Sequence, residues 1–147
     1  MEDLVRYLDE IAEPTISDFE KNPASVRHAF IACVVVFHSI DYLAYPRKSR
    51  PLRQLFRRQS TDFALVDHVA HAFKHVASGN PNNKRLVSSD VISRPPAVWG
   101  SATWDLSQWD DPAGGVTLNS DRTVDLLGAL KRAVDFLRKK TLDVETK

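Results

Sequence analysis

The fold turns on "AFIACVVVFHSIDYLAYP", residues 29–46. The triplet Val34-Val35-Val36 would suit a buried strand, because β-branched side chains pack well on a pleated surface. The apolar segment is too long for one strand, however, and holds no turn residue before Pro46. Length decides between the two readings and predicts a helix from about Pro23 to Tyr45. Asn22 is its expected N-cap, Pro23 suits the first helical position, and Pro46 cannot continue it. Phe30, Ile31, Val34, Val35, Val36, Phe37, Ile40 and Leu43 leave no broad wet face. Such a helix is expected at the centre of a bundle. At about 100° per residue, Arg27, His38, Asp41 and Tyr45 share one narrow stripe. Apart from Ser39, that stripe is the only polar seam of its middle and C-terminal half.

Upstream, Leu4, Leu8 and Ile11 recur at helical spacing, with Val5 and Ala12 beside them. Pro14 should break or kink this first helix, and a short helical stretch follows over Thr15–Lys21. Downstream, "RKSRPLRQLFRRQ" reads as a basic connector and a short helix with Leu52, Leu55 and Phe56 facing inward. Ser60, Thr61 or Asp62 can cap a third helix that runs to about Ser78. Leu65, Val66, Val69, Ala72, Phe73 and Val76 form its inner face. Asp67, His68, His71, Lys74 and His75 form its outer face. "SGNPNNK" carries strong turn chemistry. Between Lys84 and Asn119, "AVWGSATWDL" and "GGVTLN" look like short strands joined across "SQWDDPAG". The last helix spans about Thr123–Lys140, with Val124, Leu127, Leu130, Val134 and Leu137 on one stripe. Arg138, Lys139 and Lys140 would favour its C-terminal dipole. No internal repeat or low-complexity tract stands out. The fold expected is mainly α: a single domain over residues 1–147, a helical bundle of three or four long helices. A small β-hairpin, about residues 95–119, is inserted before the C-terminal helix.

Bulk properties bound the function. Lys and Arg number 20 against 19 acids, and 43% of residues are hydrophobic. Net charge therefore predicts neither a nucleic-acid binder nor a membrane-surface protein. The lone Cys33 cannot form an intramolecular disulfide and sits among apolar neighbours, as a buried, inert thiol would. The acidic N-terminus lacks the layout of a signal peptide. The fully apolar run Ala29–Phe37 is short of the roughly 20 residues a bilayer requires. A soluble, cytoplasmic protein is expected.

Three features could carry chemistry. The first is the polar face of the third helix. Asp67, His71, Lys74 and His75 lie within one arc, so Asp67 could orient His71 while His71 and His75 exchange protons. Lys74 could stabilise an anionic transition state. His38 and Asp41 on the central helix need partners if buried, and this face is where they could find them. The plainer alternative is a solvated helix face. His71 and His75 also have the spacing that lets two imidazoles bind one metal ion, with His38 or Asp41 completing the set. The H-E-x-x-H pattern is absent, and Lys74 between the ligands repels a cation, so no metal or cofactor is expected.

The second feature is Arg47, Lys48, Arg50, Arg53, Arg57 and Arg58: six cations in twelve residues with no acid. Arg50, Arg53 and Arg57, with Arg58 beside them, suit a phosphate backbone. The alternative is a connector neutralised by the acidic N-terminal helix, Glu2, Asp3, Asp9, Glu10 and Glu13. The third feature is Trp99, Trp104 and Trp109, which could hold bases or a partner but more often cap a small core.

The central helix ending "HSIDYL", followed by "DFALVDHVAHAFKH", is similar to small bacterial helical proteins and resembles HEPN-like bundles over roughly residues 24–78. The resemblance implies a ribonuclease of toxin–antitoxin or antiphage systems, acting without metal from polar residues on two facing helices. Carried over position by position, His38 and Asp41 would face Asp67, His71 and His75. The family's Arg-x4–6-His signature is absent here. A non-enzymatic interaction or nucleic-acid-associated module is the favoured reading, and the metal-independent ribonuclease its alternative. A metal-dependent bundle enzyme is a third. The partners expected are RNA or a protein, in a homo-oligomer or complex, with no membrane.

Overall fold

The computed structural model describes residues 2–76 and 86–145. Helix α1 (Glu2–Tyr7) runs through a π-turn, Leu8–Ala12, straight into α2 (Glu13–Lys21). Pro14 does not break this helix. Its ring crowds the preceding turn and it donates no hydrogen bond. The wider π-turn ahead of it, closed by Glu13 N–H donating to Leu8 O, absorbs the misfit. The same turn resets the buried face. Leu4, Leu8, Ala12 and Ile16 are buried at every fourth position, a spacing that would drift round an ideal α-helix. Ile11, expected inside, is 45% exposed for the same reason.

The decisive stretch is helical: α3 spans Val26–Ala44. Its N-cap is Ser25, whose Oγ accepts from His28 N–H at 3.4 Å, and not Asn22. Asn22 instead closes α2, donating from its backbone to Phe19 O at 2.9 Å and from Nδ2 to Asp18 O at 3.1 Å. At 19 residues and mean hydropathy 1.4, α3 is long and apolar enough to cross a membrane by length and composition. Here it is the central helix, and Ala29, Ala32, Cys33, Val36, Ser39, Ile40 and Ala44 are buried. Burial pushes the Cys33 thiol up, so it stays protonated and unreactive, as its neighbours suggest.

Helix α4 (Ser49–Gln59) turns back after Pro46 and is anchored by Phe56. Its ring packs edge-on against Phe63 at 5.7 Å and Phe136 at 5.0 Å. Leu55, expected inward, is 46% exposed. Ser60 then caps α5 (Thr61–His75), its Oγ accepting from Phe63 N–H at 3.1 Å. Helix α5 ends at Val76, left-handed and 72% exposed, so Val76 does not join the inner face. The expected extension to Ser78 and the "SGNPNNK" turn lie outside the described residues.

Strands β1 (Val91–Arg94) and β2 (Gly115–Leu118) pair antiparallel, Val91 opposite Leu118 and Arg94 opposite Gly115. The hairpin is present before the last helix, but its first strand is "VISR" and not "AVWGSATWDL". That latter stretch cannot pleat, because Gly100 and Asp105 take positive φ angles of 88° and 66°. Val91, Val116 and Leu118 close the core over the end of the bundle.

Helix α6 (Leu126–Glu145) begins after Asp125, whose Oδ2 accepts from Gly128 N–H at 3.2 Å. Thr123, the expected start, instead donates to Asp121 Oδ1. Leu126, Leu130, Val134 and Leu137 face the core. Arg138, expected near the C-terminus of the helix, lies within it and pairs with Glu13 at 2.7 Å and with Asp9.

Candidate nucleic-acid interface on α4 and α5

The centre of the site is Asp67. Its position in α5 faces α4, and it is fully buried, not on the outer face where periodicity put it. Ser60 makes the tight corner that folds α4 onto α5 and brings Arg53 and Arg57 against Asp67, fourteen and ten positions upstream. Arg57 donates from Nε to Asp67 Oδ2, with Nη2 also against that oxygen. A guanidinium is the natural partner for a buried carboxylate, being planar, always charged and weakly hydrated. Arg53 is placed differently. Its Nε lies 3.8 Å from Asp67 Oδ1, beyond hydrogen-bonding distance. Both atoms are buried without a hydrogen-bond partner among the described residues. The Arg53 guanidinium rests over the Phe37 ring of α3, 5.5 Å from its centroid.

His71 completes the cluster. Its Nδ1–H donates to the backbone carbonyl of Asp67 at 2.9 Å, while the Asp67 carboxylate stands off at 3.6 Å. The carbonyl fixes the tautomer, so in the neutral ring the lone pair sits on Nε2. The ring stands edge-on to Phe37, 4.9 Å away, and His75 follows at 6.1 Å. His68 lies in the same field. Its pKa is lowered by burial, then by the positive charge of Arg57, against the opposing pull of Asp67. Its ring is therefore held towards neutrality.

The stripe on α3 does not join this cluster. His38 Nδ1 lies 3.1 Å from Asp41 Oδ2, a pair about half exposed and closed on itself. Phe37 stands between the stripes, with centroids 5.1 Å from His38 and 4.9 Å from His71. An apolar ring thus occupies the place where His38 and Asp41 were expected to meet Asp67, His71 and His75. Phe37 was missed as a site residue because nothing in an apolar run marks one member as a platform. Lys74 and His75 are exposed at the end of α5. Among the described residues no group of three His, Cys, Asp or Glu side chains could hold a metal ion.

The basic run does not meet the acidic N-terminal helix. Asp9 and Glu13 are taken by Arg138, Glu10 by Arg6, and Glu20 by Lys131. Asp67 is the acid that α4 contacts, through Arg53 and Arg57. Arg50 and Arg58, with Arg47 and Lys48, are exposed and make no ion pair among the described residues. One open depression lies between α2 and α6, and another, bordered by Arg58, lies where α4 and α5 meet α6. The exposed cations Arg47, Lys48, Arg50 and Arg58 lie on and beside the helix that covers the Asp67 cluster.

Comparison with protein-family models, curated proteins and solved structures returned no match for this chain.

Proposed function

We propose that the chain is a nucleic-acid-associated helical domain, probed most simply with RNA, that contacts a phosphate backbone through α4 and the adjoining end of α5. One observation carries this reading: Asp9 and Glu13, acids that could have neutralised α4, are committed to Arg138 of α6, and the one acid in ion-pair contact with α4 among the described residues, Asp67, is taken by Arg53 and Arg57. Arg50 and Arg58 would be first contacts, with Arg47 and Lys48 beside them. Arg53, held within Coulomb reach of Asp67 but not hydrogen-bonded to it, can turn donors towards an arriving phosphate. Four phosphate contacts on a single strand give a log K against log salt slope of about −3. Fluorescence anisotropy of a labelled single-stranded RNA at rising salt tests this. An Arg50→Glu, Arg58→Glu variant should bind at least tenfold more weakly. Equal affinity of that variant and the wild type would overturn the interface.

A ribonuclease reading has one specific support. The resemblance implies polar residues meeting from two facing helices, and here Arg57 of α4 and His71 of α5 meet on Asp67. With its Nδ1–H fixed, His71 could present Nε2 to a ribose hydroxyl while Arg53 and Arg57 neutralise the phosphate. RNA cleavage in EDTA, lost in His71→Ala, is the expected result; equal activity of that variant refutes it. A toxin or antiphage setting in the cytoplasm, within an oligomer or complex, belongs to the same proposal.

A further inference from the structure

The three tryptophans are not packed in a core. Trp99 is 104% exposed, Trp104 89% and Trp109 87%. None of their rings pairs with another aromatic ring among the described residues, so they form no closed cage. They stand on a repeat that the sequence reading passed over. "VWGSA", "TWDLS" and "QWDDP", residues 98–112, are three five-residue units with tryptophan second in each. The backbone repeats with them. Val98 O accepts from Ser101 and Ala102 N–H at 3.1 and 3.0 Å, and Thr103 O accepts from Leu106 and Ser107 N–H at 3.2 and 2.9 Å. Gln108 O accepts from Asp111 N–H at 3.2 Å. In each unit the residue after tryptophan, Gly100, Asp105 or Asp110, has positive φ.

The row is held in place. Asp111 clamps its base, accepting from Arg94 Nη2 at 2.8 Å and Nε at 3.0 Å, and from Gly114 N–H at 3.0 Å. Arg122 donates to Asp105 O from the α6 side. Ordered, wholly exposed tryptophans are costly to keep in water and are the residues most enriched at binding hot spots. Their surroundings state the partner's charge. Residues 95–121 contain four aspartates, Asp105, Asp110, Asp111 and Asp121, and no Lys, Arg or His, and the loop stays net acidic with the flanking Arg94 and Arg122 counted. A phosphate backbone or an anionic bilayer would be repelled here. A cation would gain twice, from the ring faces and from the free carboxylates of Asp105 and Asp110.

We infer that the loop 98–112 is a docking surface for an arginine- or lysine-rich segment of a partner protein, laid along the three turns so that its cations stack on Trp99, Trp104 and Trp109. A row, rather than a cage, fits an extended polypeptide better than a small quaternary amine.

The chain has no tryptophan outside this loop, so intrinsic fluorescence reports on it alone. The full-length protein is titrated with a fluorescein-labelled peptide of alternating Arg and Gly, followed by anisotropy, and with the unlabelled peptide, followed by tryptophan emission. Saturable binding with a blue-shifted emission is expected. Trp104→Ala with Trp109→Ala should weaken it at least tenfold. Asp105→Asn with Asp110→Asn should weaken it several-fold, and asparagine keeps the left-handed backbone these positions need. No saturable binding below about 1 mM, or equal affinity in the tryptophan variant, would overturn the inference. So would a larger emission shift with phosphatidylcholine vesicles or with oligothymidylate, which would assign the surface to a bilayer or to nucleic acid.

Discussion

Replacing Asp67 by Asn tests whether one buried carboxylate ties α4 to α5. The side chain is fully buried, while Arg53 and Arg57 are 23% and 29% exposed. Removing one partner of a fully buried pair costs about 3–5 kcal/mol, because the other charge is stranded. Here the stranded guanidiniums can turn to water, which places the cost at about 2–3 kcal/mol. For a chain of this length that corresponds to a melting temperature lower by about 6–9 °C. Thermal and urea unfolding followed by far-ultraviolet circular dichroism measures it, with Arg57→Leu and the double variant completing a cycle. Coupling between Asp67 and Arg57 should be about 1–2 kcal/mol. The destabilisation should persist at high salt, since a buried pair is poorly screened. A melting temperature within about 2 °C of wild type, with coupling below about 0.5 kcal/mol, would refute the assignment of Asp67 as the tie.

Other consequences can be measured on the same footing. Phe56→Ala removes the ring that meets Phe63 and Phe136, and should cost about 3–5 kcal/mol in urea unfolding. His68 has a folded pKa below its unfolded value, so its stability contribution is present above about pH 6.5 and is lost as pH falls. His68→Gln should therefore flatten the acid side of the stability–pH curve below about pH 6.5, measured by urea midpoint. Asp111→Ala should release the base of the tryptophan loop, so that limited proteolysis cuts between residues 95 and 114 while the bundle melts within a few degrees of wild type.

The helices were legible because their signals are local. Length and composition identify α3, and Ser60 with Pro46 punctuates α4 and α5. The N-terminal helix was misread at one detail, because periodicity presumes a constant turn and the π-turn at Leu8–Ala12 does not keep it. Within the site, Arg53 and Arg57 were named from charge, and Asp67 and His71 from spacing. That they form one cluster was hidden, since it depends on the angle of α4 against α5 and not on either helix alone. Asp67 was put on the wrong face because a polar residue reads as wet unless a partner from elsewhere is known to cover it. The pairing of His38 with Asp41 instead of with α5 reflects an apolar ring, Phe37, whose direction no pattern encodes. The loop was misread as a strand because valine, threonine and tryptophan favour sheets. The five-residue recurrence of Trp with Gly or Asp was the available countersignal.

The π-turn has a bearing on how this chain tolerates change in length. A helix that carries one wide turn holds one residue more than a regular helix of the same reach would. Deleting Ile11, which faces solvent, would let α1 and α2 close into an unbroken α-helix, but Pro14 would then press on a regular turn. Leu4 would stay within about 20° of Ile16, because the eleven regular steps left between them turn through about 1100°, so the buried face would be kept. Ile11 is thus the surplus residue of the wide turn: the chain should accept almost any side chain at position 11, and the cost of its loss should fall on Pro14 and not on the buried face.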